Sequence, residues 1–230
     1  MIKFYYHPTP NPTKVALFLE ETGMPYELIP VDTLKGEQHR PEYRAINPNG
    51  KTPAIEDDGV RVFDSNAILL YLSEKSGQLG GTPATRAELL SWLMFVATGL
   101  GPYSGQSVHF RRAAPEPIPY ALNRYWREAR RHYSVLNTHL ASRTFIVGEQ
   151  YSIADIAAWG WIDKATVVLG DDGALSEFPH LKAWFDRINS RPAVERARTI
   201  GQHAEFQSEL DDAARRALFP QNYPEVDAAE

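Results

Sequence analysis

The sequence predicts an α/β domain followed by an all-helical one. Short β-rich runs are confined to the first third of the 230 residues. A stretch from Gly77 to Pro83, with three Gly and a Pro, then interrupts the pattern. Beyond it the strand signal nearly vanishes, and apolar residues recur at helical spacing.

The elements follow in order. Ile2–Tyr6 is a β-rich run, and 12–22 is a predicted helix ended by Gly23, with Asn11 and Pro12 as its candidate N-cap and N1 residues. Residues 26–31 form the next strand. The polar stretch 36–49, broken by Pro41 and Pro48, is a loop with room for one short helix. Runs 54–57 and 60–63 flank Asp58-Gly59, a pair suited to a two-residue hairpin turn. Ser65 can cap the next helix, 65–76, which carries Ile68, Leu69, Tyr71 and Leu72. The order β-α-β-(loop or helix)-β-β-α is thioredoxin-like, with no Cys-x-x-Cys.

In the second part, the helix over 84–100 shows a broad apolar surface from Leu89 to Val96 and is expected to stop at Gly99-Leu100-Gly101-Pro102. Leu122, Trp126, Ala129, Tyr133, Leu136 and Leu140 make one stripe of a further helix, whose other faces hold Arg124, Arg127, Arg130 and Arg131. Ser152-Ile153-Ala154-Asp155 has the form of a capping box opening a largely apolar, buried helix. Residues 181–191 make one more helix, stopped by Pro192. The acidic stretch 207–230 predicts a docked short helix and a loose end. The expected divisions are 1–78, 84–205 and 206–230.

Composition narrows the chemistry. A net charge of −5 gives no reason to expect nucleic-acid binding, and no segment reaches the ~18 apolar residues of a membrane span. No apolar leader follows the first basic residue, so cytoplasm is the default. With no cysteine, no disulfide, thiolate metal site or protein-thiol nucleophile exists, so any thiol chemistry needs a sulfur brought by a small molecule. The His residues are scattered without metal-ligand spacing, and no metal is expected.

Lys51-Thr52-Pro53-Ala54-Ile55, followed by the hairpin and Phe63-Asp64-Ser65-Asn66, suits a backbone clamp facing an anion site at a helix start. This ordered set resembles the glutathione-binding half of cytosolic glutathione transferases. With the helical second part and the buried Ser-x-x-Asp helix, the resemblance covers about 200 residues. It implies the glutathione transferase fold, an α/β thioredoxin-like N-terminal domain and an all-α helical-bundle C-terminal domain. His7-Pro8-Thr9-Pro10-Asn11, Lys35-Gly36-Glu37-Gln38 with Arg40-Pro41-Glu42, and Gly99-Leu100-Gly101-Pro102 with Gly105-Gln106 and His109-Phe110 resemble the bacterial nu-class enzymes in particular. Pro12 and Asn66 depart from that pattern, which favours Gly and a small residue there.

The resemblance implies a glutathione-dependent disulfide reductase that works through the thiolate of bound glutathione. Conjugation of glutathione to electrophiles, or a non-catalytic binding module, are the alternatives. Thr9 and Asn11 would face the sulfur. Gln38 would meet the glycyl carboxylate, Thr52 and a cis Pro53 would hold the cysteinyl backbone, and Lys51 would be a further glutathione-binding residue. Asp64 and Ser65 would take the γ-glutamyl end, and Arg131 would reach across a homodimer interface. Tyr103, Gln106, His109 and Phe110 would line the second-substrate pocket, with Trp159 as a further candidate there and one or two glutathione molecules per subunit. Each position has a plainer reading: Asn11 as a helix cap, Thr9 as a turn residue, the Arg face as solvated, and Trp159 as core. Tyr5 and Tyr6 are rival sulfur partners, and packing is the plainer role for both.

Overall fold

The computed structural model describes residues 1–223. Strands β1 (Ile2–Tyr6), β2 (Tyr26–Pro30), β3 (Ala54–Asp57) and β4 (Val60–Phe63) form one mixed sheet in the order β2-β1-β3-β4. The β1–β2 pair is parallel and the other two are antiparallel. A parallel pair needs a crossover, and α1 (Pro10–Thr22) supplies it. Asp58 (φ 50°) and Gly59 (φ 85°) make the tight turn from β3 to β4, as the sequence predicts. A short helix, α2 (Pro41–Ile46), lies in the polar stretch, and α3 (Ser65–Ser76) ends on left-handed Gly77.

The second part holds α4 (Arg86–Phe95), α5 (Gly101–Arg112), α6 (Pro119–His139), α7 (Ile153–Ile162), α8 (Ala165–Leu169), α9 (Pro179–Asn189), α10 (Pro192–Thr199) and α11 (Asp212–Leu218). Two expected stops differ. Residues 99–102 do not end their helix: a π-turn over Val96–Leu100 carries α4 directly into α5. The wider turn accommodates Pro102, which has no N–H to give to the preceding turn. Pro192 ends nothing by itself either; α9 has already closed at Asn189, and Pro192 occupies the first turn of α10, where its missing donor costs nothing. The expected docked helix near the end is α11. The expected loose end falls on 224–230, outside the described residues.

One apolar cluster joins both parts. Phe4, Leu17, Ile55 and Ile68 from the first meet Leu89, Tyr133, Trp159 and Trp184 from the second. Helix α1 lies between the sheet side and the bundle, touching α3, α7 and α10. Gly160 of α7 allows that closeness, since a Cβ there would lie 2.8 Å from the Pro10 carbonyl oxygen. As predicted, α7 is buried almost all round, and its capping box is formed by Ser152 and Asp155. Among the described residues no helix is long and apolar enough to cross a membrane.

Candidate functional site

The α1–α3 side of the first domain and the α4–α5 hinge of the second enclose a cleft with two lobes. The first, about 540 Å³, runs over Thr52, Pro53, Asp64, Ser65 and Asn66. The second, about 560 Å³, runs over Pro8, Thr9, Gln38, Arg112, Leu218 and Phe219. Asn11, Lys51, Thr52, Gly105 and Trp161 line both, so they mark the junction.

At the floor of the first lobe, the chain turns from β4 into α3. Here the expected cap is corrected: Asp64, not Ser65, is the N-cap. Its Oδ1 accepts from the backbone N–H of Asn66 at 2.9 Å and of Ala67 at 3.2 Å. Asp64 holds φ 70°, a conformation rare and strained for a residue with a Cβ. The shift places Ser65 in the first turn, buried, with its Oγ 3.3 Å from Lys14 Nζ. Lys14 is itself buried, and burial lowers its ammonium pKa to about 7 against the opposing pull of Asp64. Beside it Asn66 is buried with Oδ1 unpartnered among the described residues.

The Thr52–Pro53 bond is cis, as expected. The strand entering it is fixed from below: Tyr43 Oη and Asn47 Nδ2 each donate to the Lys51 carbonyl at 2.6 Å. No turn or loop hydrogen bond to the Thr52 backbone occurs among the described residues. A backbone edge left in this state can pair with a peptide-like ligand.

Helix α1 starts at Pro10, two residues earlier than expected, with Thr9 as N-cap, and this corrects Asn11 as a cap. The Thr9 side chain makes no capping hydrogen bond. Asn11 instead lies in the first turn, and its Oδ1 is 3.1 Å from Trp161 Nε1. An indole N–H is only a donor, so this contact fixes the amide's orientation. The Asn11 NH₂ group is therefore the end left for the cleft. Gly101 makes room for the indole, because a Cβ there would lie 2.9 Å from Trp161 Nε1.

Gln38 lines the second lobe but is almost wholly buried, donating from Nε2 to the Ala217 carbonyl at 3.1 Å. Its Oε1 has no partner among the described residues. Gln106 lines the first lobe. Tyr103 and Phe110 line neither: the first stacks on His132 at 5.4 Å, and the second on Tyr125 at 5.1 Å. His109 packs against Phe219 at 4.7 Å, and burial, then Lys51, lowers its pKa, keeping the imidazole neutral at pH 7. Arg131 lies outside both lobes and pairs with Glu128 at 2.6 Å. The rival tyrosines pack. Tyr6 is buried against Phe4 and Phe206, and Tyr5 packs against Tyr43. Trp159 is core, bonded to Asn189.

Sequence reasoning missed Lys14, Trp161 and the pair Leu218–Phe219. Lys14 had a signal, since it follows Asn11 by three residues and shares its helix face. Trp161 and Phe219 had none, being ordinary aromatic residues in a core-like helix and a polar tail.

Comparison with known proteins agrees with this fold. Residues 1–74 match the glutathione S-transferase N-terminal domain family, and residues 122–192 match the C-terminal domain family. The disulfide-bond oxidoreductase YfcG of Escherichia coli K12 is 48% identical over 205 residues, covering 86% of this chain and 94% of that one. The disulfide-bond oxidoreductase YghU of the same strain is 37% identical, covering 87% and 75%. A Pseudomonas fluorescens glutathione transferase family member, solved with two glutathione molecules bound, superposes with TM-score 0.79 at 40% identity, covering 85% of this chain and 91% of that one. The chain belongs to the glutathione S-transferase family.

Proposed function

We propose that this protein is a nu-class glutathione-dependent disulfide reductase in which the sulfur of bound glutathione does the work. The observation that carries it is the Asn11 amide, held by Trp161 at the junction of the two lobes with its donor end free. Similar proteins named disulfide-bond oxidoreductases, and neighbours solved with glutathione, support it. Glutathione would lie in the first lobe, its γ-glutamyl end on Asp64 and Ser65 and its cysteinyl backbone on Thr52. Its glycyl end would cross the junction to meet Lys51 and Gln38, the latter on the second lobe. A second glutathione or the disulfide would enter the second lobe. His109 would back that lobe through Phe219, with Phe110 packed on His109, whereas Gln106 would face the first lobe and Tyr103 would stand away from both.

The thiolate attacks one sulfur of the disulfide, the S–S bond breaks, and the departing thiolate takes a proton from water. A second glutathione thiolate then attacks the glutathione sulfur of the mixed disulfide. The sum is two glutathione thiols oxidised to one disulfide and one substrate disulfide reduced to two thiols. No protein cysteine is needed, and none exists.

A free thiol with pKa ~8.5 is only a few per cent thiolate at neutral pH. Lowering that value by about two units takes ~2.7 kcal/mol. The start of α1 supplies ~0.3–1 kcal/mol, and charge-assisted hydrogen bonds from Thr9 and Asn11, at ~1.5–3 kcal/mol each, supply the rest.

We further assign the chain to a cytoplasmic homodimer with divisions at 1–78, 84–205 and 206–230, in which Arg131 approaches the partner's ligand. The exposed apolar Met94 on α4 and Phe63 and Val60 on β4 are what such an interface would cover. Sedimentation as a single 25.9 kDa subunit would remove that assignment.

Thr9→Val tests the chemistry, because it deletes the hydroxyl with little change of shape. Ultraviolet thiolate absorbance should show the bound thiol's pKa rising by about one to two units. Disulfide reduction at neutral pH should fall roughly ten- to a hundredfold and partly return toward pH ~9. Tyr6→Phe should leave both unchanged. Loss of the thiolate in Tyr6→Phe with none in Thr9→Val would replace this assignment with a tyrosine-type transferase.

A further inference from the structure

The second lobe has a wall that belongs to neither domain. After α10 the chain returns to the first domain and is tied there residue by residue. Gln207 N–H donates to Asp32 Oδ2 at 2.8 Å, and Lys35 Nζ donates to the Glu205 carbonyl at 3.3 Å. The Ala217 carbonyl accepts from Gln38 Nε2 and lies 2.9 Å from His39 Nε2. Ala214 of α11 is fully buried. These ties deliver Leu218 and Phe219 to the cleft, where both line the second lobe. The Phe219 ring meets His109 edge-on at 4.7 Å, and Lys51 Nζ lies 5.7 Å from its centroid.

The charge of this lobe is one-sided. Lys51, Arg112 and Lys164 line it, and no carboxylate does among the described residues, although the whole chain carries −5. Lys164 has Asp163 at 2.8 Å, whereas Arg112 and Lys51 have no ion pair among the described residues. The first lobe differs, since Asp64 faces Lys14 there. With Lys51 assigned to the glycyl end of glutathione, Arg112 remains beside the apolar wall with no ion pair among the described residues, and that pairing suits a ligand with an apolar or aromatic body and a carboxylate.

We propose that Phe219 is a specificity-determining residue of the second lobe, where with Arg112 it selects disulfides bearing a carboxylate on an aromatic or apolar body. This rests on the disulfide-reductase assignment above and names its substrate class. The electron balance is unchanged: an aryl thiolate is the leaving group in each half of the exchange.

The test compares 2,2′-dithiodibenzoate with bis(2-hydroxyethyl) disulfide, both reduced by glutathione, with the uncatalysed rate subtracted. The aryl diacid should be preferred by about tenfold or more in kcat/KM. Phe219→Ala and Arg112→Gln should each erase most of that preference by raising KM for the diacid about five- to tenfold. The same variants should lower kcat/KM for the hydroxyethyl substrate by a clearly smaller factor than for the diacid, and circular dichroism with a melting curve checks their folding. Equal losses on both substrates would mean that these side chains hold a component common to both reactions, such as a second glutathione, and would overturn the proposal. So would an absent preference in the unaltered protein. Should the protein reduce neither disulfide, the reductase assignment fails by itself. Titration of dithiodibenzoate against tryptophan fluorescence then decides the lobe: affinity unchanged by both variants overturns it, and affinity weakened in both supports it.

Discussion

Two helix starts in this molecule carry the same kind of side chain and do opposite things. At α7, Asp155 is fully buried and all its lone pairs are used. Oδ1 accepts from Ile146 N–H at 2.9 Å and Trp184 Nε1 at 2.8 Å; Oδ2 accepts from Ser152 N–H at 3.0 Å and Ser152 Oγ at 3.1 Å. At α3, Asp64 is exposed at the edge of the cleft, holds a positive φ, and caps with one oxygen only. A saturated carboxylate inside a core locks a fold. A strained carboxylate with an oxygen to spare at a cavity's rim is arranged to receive something.

The sharpest break of the comparison is at Asp155. Asp155→Ala should cost about 3–5 kcal/mol of stability, because four buried donors lose their acceptor together. Glutathione affinity of the folded fraction should remain unchanged, as urea melts and calorimetric titration would show. The pH dependence has a definite sign. Burial raises the carboxyl from 3.8 to about 6, with the hydrogen bonds pulling the other way. A raised folded pKa contributes stability that is fully present below the unfolded value and lost as pH climbs through about 6. The stability gap between the native protein and Asp155→Asn should therefore shrink from pH ~4 to pH ~6. A gap that widens over that window would show the hydrogen bonds dominating burial.

The same pair shows what the sequence could tell. Ser152-x-x-Asp155 was legible because both members act locally, within one turn, and an apolar helix follows. Asp64-Ser65 was legible as a site but misread as a cap. The choice between adjacent residues turns on a φ of 70°, which the surrounding fold imposes and Asp does not announce. Helix α3 and the hairpin before it were plain for the first reason; the run from α4 into α5 was hidden because Pro102 and two glycines signal an end that a π-turn evades. The cleft followed a similar division. Thr9, Asn11, Thr52 and Asp64 stand in recognisable local order, and the structure brings them to one cavity system. Lys14, Trp161 and Phe219 arrive through contacts 51, 150 and 110 positions away in sequence, to Ser65, Asn11 and His109.

Asp64→Gly sharpens the contrast with a smaller change. Glycine accepts the positive φ without strain and replaces a capping side chain at a cost of only a few tenths of a kcal/mol. Stability should stay within about 1 kcal/mol of the native protein. Glutathione affinity should nevertheless fall roughly ten- to a hundredfold, the loss of one charge-assisted contact at ~1.5–3 kcal/mol. The result to set against it is a variant that melts early and binds normally, which would make Asp64 a structural cap like Ser152.

The smallest effect concerns Trp161, which joins the two domains at the site itself. Its indole N–H holds the Asn11 oxygen at 3.1 Å from a position 150 residues away. Phenylalanine keeps an aromatic ring there but removes the donor. In Trp161→Phe the Asn11 amide is free to turn either end toward the cleft, so the donor is present only part of the time. Losing one neutral hydrogen bond of about 0.5–1.5 kcal/mol should lower disulfide reduction about two- to tenfold. The bound thiol's pKa should rise by less than in Thr9→Val, by roughly half a unit. Combining Trp161→Phe with Asn11→Ala separates orientation from packing. If Trp161 acts through the amide, the double variant should be no worse than Asn11→Ala alone; if it only fills space, the two losses should add. Additive losses would remove Trp161 as a positioning residue and leave Asn11 without the contact that aims it.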